Sequence, residues 1–132
     1  MKTLADKVKA LLPMLEQRGA VYLFALFERK ETAGKWDIVL SSEWSDKERA
    51  EAVRLISDAL VPKLNPDELS ALSRIFIAPS YEPEVDVFAI GDQGVPMKHF
   101  FSDDFSFMGV PIKQAYVFRT RTQTTRRFDI AV

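Results

Sequence analysis

Seven apolar residues run unbroken from Val21 to Phe27, and in a strand such a run makes both faces apolar. It is rich in aromatic residues and follows Gly19, so it reads as a strand rather than a piece of buried helix. A polar turn, Glu28 to Lys35, leads to a second run in which Trp36, Ile38 and Leu40 alternate with Asp37, Val39 and Ser41. That alternation predicts a half-buried strand, most simply the antiparallel partner across the turn. The pair reads as a central strand beside a flank strand.

Helical periodicity frames this pair. Leu4, Val8, Leu11, Leu12 and Leu15 fall on one helical face, with Thr3 as N-cap and Asp6 favouring the positive end of the helix dipole. Pro13 inside the pattern predicts a kink or a division into two pieces, and Gly19 supplies the stop. Ser45-Asp46-Lys47-Glu48 has the spacing of a capping box, followed by an apolar face of Ala52, Val53, Ile56, Ala59 and Leu60. Pro62 ends that helix, and Asn65-Pro66-Asp67-Glu68 restarts a helical turn with a cap, a proline at the first position and acids behind it.

Further on, Arg74–Ala78 predicts a third strand. Residues 83–90 carry strand-like valines, but Pro83 in front and Gly91 behind favour a short helix. Met97–Phe101 predicts a fourth strand and Ile112–Arg119 a last one, with Ile112, Gln114, Tyr116 and Phe118 on one face. The expected fold is α+β: a largely antiparallel sheet of about five strands, with the Thr3 and Ser45 helices packed on it. One domain covers residues 1–132, of which 120–132 form a flexible or edge-strand tail.

Composition adds little to this picture and removes much chemistry. Apolar residues make up 47% and charged residues 28%, as in folded soluble proteins. No apolar run approaches a membrane span and the N-terminus lacks a secretory pattern, so the expected location is the cytoplasm, without membrane contact. The chain has no cysteine and a single histidine, His99, which excludes disulfides, thiolate metal sites and paired-histidine sites. Asp103-Asp104 reads as a turn rather than a ligand pair, so no metal is expected. His99 stands beside Phe100 and Phe101 with no GxSxG elbow in the chain, and reads as a sheet residue with one polar contact. Glycine spacings match no phosphate-binding loop, so no cofactor and no catalytic residue is assigned.

Two features remain as candidate sites. Net charge is −1 overall, yet residues 113–132 hold five basic residues against one acid. Arg119, Arg121, Arg126 and Arg127, interleaved with threonines, are the candidate anion-binding set, since guanidinium and hydroxyl groups bind phosphate oxygens. The alternative is a charged edge strand. Phe100, Phe101, Phe105, Phe107 and Met108 form the second candidate, an apolar cluster that either caps the core or buries in a dimer.

The succession of helix, strand, turn and then Trp36-Asp37-Ile38-Val39 is similar to the opening of nucleotidyltransferase domains. Those place Gly-Ser on the early loop and Asp-x-Asp on the next strand. Here Phe27-Glu28-Arg29 replaces Gly-Ser and Val39 replaces the second Asp, leaving Asp37 without the partner that two-metal chemistry requires. The resemblance therefore implies a divergent, inactive domain. Lys35-Trp36-Asp37, Ser73-Arg74-Ile75 and Gly109 to Tyr116 together resemble small bacterial proteins of unassigned function, which implies a bacterial origin and no activity. The leading functional expectation is a non-enzymatic interaction or assembly module, self-associating as a homodimer or meeting another protein. The alternatives are phosphate or nucleic-acid binding through the C-terminal arginines, and the inactive nucleotidyltransferase-like domain.

Overall fold

A computed structural model describes residues 2–87, 98–101 and 105–120. The elements are α1 (Lys2–Lys9), α2 (Leu12–Glu16), β1 (Val21–Arg29), β2 (Trp36–Ser42), α3 (Glu43–Lys47), α4 (Arg49–Leu60), a 3₁₀ turn (Val61–Lys63) and α5 (Pro66–Ala71). There follow β3 (Leu72–Ile77), α6 (Pro83–Val87), β4 (Lys98–Phe101), β5 (Ser106–Phe107) and β6 (Val110–Thr120). The sheet runs β3-β2-β1-β6-β4, with β5 paired to the start of β6. All pairings are antiparallel except β2 with β3, whose parallel register needs the long crossover through α3, α4 and α5. The fold is the expected α+β sheet with two longer helices, α1 and α4. No helix among the described residues is long and apolar enough to cross a membrane.

β1 is central, and every residue from Val21 to Glu28 is buried. β2 departs from the half-buried expectation: all seven of its residues are buried. The reason is that β3 takes its outer side and both faces of the sheet are covered, so β2 is an interior strand and not a flank. Two apolar layers result. On one face Phe24, Leu26, Trp36, Ile38, Leu40, Tyr116 and Phe118 pack against the leucines of α1 and α2 and against Ala52, Ile56 and Leu60 of α4. On the other, Leu23, Ala25, Phe27, Val39, Ala115 and Val117 meet Val85 of α6 and Phe107 of β5.

Several local expectations shift. The division at Pro13 stands, with Pro13 in the first turn of α2, where its missing N–H costs nothing. Thr3 lies inside α1, so it is not the cap. Ser45 is not a cap either. Ser42, at the end of β2, caps α3 by accepting from the Ser45 amide at 3.1 Å, and Ser45 is buried within α3. Val53 is 36% exposed and leaves the apolar face of α4. The Asn65 capping box is complete, Glu68 reaching back to the Asn65 amide at 3.0 Å. Residues 83–87 are helical, while 88–90 lie outside the described residues. Ile112 also parts from Tyr116 and Phe118. A register shift between Glu28 and Arg29 lets β6 skip Lys113, and this bulge turns Ile112 to the opposite face.

Candidate functional site

Alternation along β1 sends Phe27 and Arg29 to the face opposite the main helices, and alternation along β2 sends Asp37 and Val39 there as well. Phe27 pairs directly with Asp37, which places Arg29 as its diagonal neighbour. The parallel register sets Arg74 beside Asp37 from the other side. The carboxylate is 2% exposed, and a buried charge of this kind has to be paired. It is paired twice at one oxygen: Oδ2 lies 3.1 Å from Arg74 Nε and 3.4 Å from Arg29 Nε. Arg29 also donates to Ser73 Oγ, and the Arg74 guanidinium stacks over Phe76 with 4.8 Å to the ring centroid.

Asp37 and Arg74 of this triad line a pocket of about 230 Å³, and Arg29 stands behind Asp37, outside the lining. The floor comes from the sheet, through Phe27, Val39 and Ile112, and the walls from Phe76 and from Phe107, Met108 and Val110 of the β5–β6 hairpin. Phe107 is 3% exposed and packs edge-on to Phe27 at 5.3 Å, with Phe105 beside it at 5.9 Å. The hairpin turns on Met108 and Gly109, both with positive φ (49° and 83°), the pattern of a two-residue type I′ turn. Glu84 of α6 fixes this turn by accepting from the Met108 amide at 2.9 Å.

On the helix face, buried Glu28 accepts from the Gly34 amide at 2.7 Å and from Gln114 Nε2 at 2.6 Å. With its amide nitrogen committed to a carboxylate, Gln114 offers only Oε1 to His99 Nε2, 2.8 Å away. Nε2 therefore carries the proton and donates. The imidazole also stacks on Tyr116 at 4.0 Å between centroids. Burial raises the Tyr116 phenol above its ordinary value, with Asp6 and Glu28 adding to the effect.

Of the apolar candidates, Phe105, Phe107 and Met108 are brought together, as cover for the sheet. The backbones of Phe100 and Phe101 lie in β4, and their side chains are outside the described residues. Of the arginine set, Arg119, next to last in β6, is paired with Glu16 of α2, Nε to Oε2 at 3.2 Å. Arg121, Arg126 and Arg127 lie outside the described residues. Asp37, on which the nucleotidyltransferase resemblance rested, has two cations as neighbours, an arrangement that repels metal ions. Among the described residues no three His, Cys, Asp or Glu side chains gather. The sequence reading took Asp37 as an isolated acid and missed Arg29 and Arg74. The signal for Arg29 was available, since hairpin pairing across Glu28–Lys35 brings the end of β1 next to the start of β2. No protein-family model, curated protein or solved structure matches the chain.

Proposed function

We propose that the protein is a non-enzymatic interaction module that self-associates as a homodimer through the β4 side of its sheet. The observation that carries this reading is the strand order. β4 ends the described sheet and pairs only with β6 among the described residues. It reads Lys-His-Phe-Phe, a short edge with apolar residues at its end. The unpaired backbone groups on the outer side of an edge strand can take a strand from a second copy, and the Phe-Phe end is the part of β4 without a guarding charge. The pairing of Asp37 Oδ2 with two arginines supports binding over catalysis, because two neighbouring cations hold the carboxylate ionised and disfavour a metal ion beside it.

Sedimentation analysis tests the proposal directly. A dimer is expected at about 100 µM, with amides 98–101 exchanging hydrogen more slowly as concentration rises. A strict monomer at that concentration, or concentration-independent exchange in β4, overturns it.

A further inference from the structure

We propose that the pocket above Phe27 and Val39 binds a small monoanion with an apolar body, an aryl or branched aliphatic carboxylate, gripped by Arg74. Charge comes first. Two guanidiniums share one carboxylate oxygen, so the Arg29–Asp37–Arg74 triad carries one net positive charge beside an apolar cavity. A cation is repelled there, a neutral molecule leaves the charge unbalanced, and a monoanion neutralises it. Glu84 is bound to the Met108 amide and forms no ion pair with Arg29 or Arg74, so it is not one of the triad's direct partners.

Geometry selects the gripping group. Arg74 reaches Asp37 through Nε alone, and its two terminal nitrogens hydrogen-bond to no described residue. The contact with Asp37 and the stacking on Phe76 hold the guanidinium plane from two directions. The Nη1–Nη2 edge is thereby presented as a fork, the shape that takes a carboxylate through two parallel bonds. The Arg74 side chain is 45% exposed, so a ligand can reach it, whereas Asp37, at 3%, serves as the fixed anchor.

Size and lining select the rest of the ligand. A volume of about 230 Å³ is below the roughly 300–1,000 Å³ of pockets for drug-sized molecules and suits on the order of ten non-hydrogen atoms. Phe27, Phe107, Val39 and Ile112 offer aromatic and branched surface to a ring or branched chain. The site uses side chains of β1, β2, β3 and the β5–β6 hairpin and none of β4, so the proposal stands or falls separately from the dimer.

The test is calorimetric titration of the full chain with benzoate, phenylacetate and 3-methylbutanoate, using benzamide as the uncharged control. At least one carboxylate should bind saturably with a Kd of about 1 mM or tighter, and benzamide roughly tenfold or more weaker. Arg74→Met keeps an unbranched stem over Phe76 and should lower carboxylate affinity by a similar factor, with the circular dichroism spectrum unchanged. Val110→Trp, which fills the cavity and spares the triad, should abolish binding. Saturable binding of none of the three acids, equal binding of benzamide, or undiminished affinity in either variant overturns the proposal.

Discussion

The two faces of the sheet are made by neighbouring residues of the same strands, yet they are closed in different ways. Phe24 and Phe27 are both buried and lie three residues apart. Phe24 meets Phe118 at 5.6 Å beneath the layer formed by α1, α2 and α4. Phe27 meets Phe105 and Phe107 beneath a hairpin and the five-residue α6. The helical layer is largely apolar packing with polar contacts such as Glu28–Gln114 and Lys7–Glu68, whereas the thin layer contains a charged triad and a cavity. Burial alone does not separate a scaffold face from a binding face. The length and regularity of the covering elements do, because short elements leave gaps that longer helices fill.

The sharpest way to break this contrast is to truncate each ring. Phe24→Ala should destabilise the protein by about 3–5 kcal/mol in urea unfolding, as for a large ring lost from close packing. Phe27→Ala should cost about 2–3 kcal/mol, because the hairpin can settle into the space. Equal costs would mean that the thin face is as tightly packed as the other. Next, Asp37→Ala should destabilise by about 1–3 kcal/mol by leaving Arg29 and Arg74 unpaired. That is less than a fully buried pair loses, since both arginines reach water. Met108→Asn should instead stabilise by about 1 kcal/mol, because asparagine accepts the positive φ that methionine resists. A loss of stability there would show that the Met108 side chain, as a pocket wall, outweighs its backbone cost.

The smallest effect concerns the seam between α1 and α5 on the helical side. Glu68 is held below the usual carboxylate range by Lys7, at 2.6 Å, and by the Asn65 amide. The folded pKa lies below the unfolded one. This contribution is therefore complete above the ordinary Glu value, about 4.3, and is lost as pH falls through the lowered folded value. In Lys7→Met the carboxyl titration of Glu68, followed by NMR, should move upward, and acid unfolding should begin at higher pH. An unmoved midpoint would assign the effect to the cap alone.

Features fixed by local pattern were legible in the sequence. The Pro13 break, the Asn65 capping box, the helix at Pro83 and the central place of β1 all follow from periodicity and start signals within a few residues. Ser45 misled because a separate short helix, α3, begins at Glu43 with Ser42 as its cap, and a cap inside the last residue of a strand has no separate signature. β2 read as half-buried because Asp37 and Ser41 are polar. Only the β3 pairing and the cover over the second face show that both are enclosed. Arg74 could not be placed beside Asp37 from sequence, since the parallel register depends on a crossover spanning residues 43–71. The site was half visible: one partner came from a hairpin, the other from topology.

The position of β1 has a consequence for how the chain is made. Among the described strands it is the first to leave the ribosome, and its hairpin partner β2 follows within a few residues. Its other edge pairs with β6, Leu23 to Arg29 against Thr120 to Ile112. Roughly 80 residues must be added before that partner exists, which takes about 4–16 s at 5–20 residues per second. During that interval the most apolar segment of the protein presents an open edge. Demand for a holdase chaperone should therefore be set by the distance between β1 and β6 along the message, and slow codons between them should lower the soluble yield.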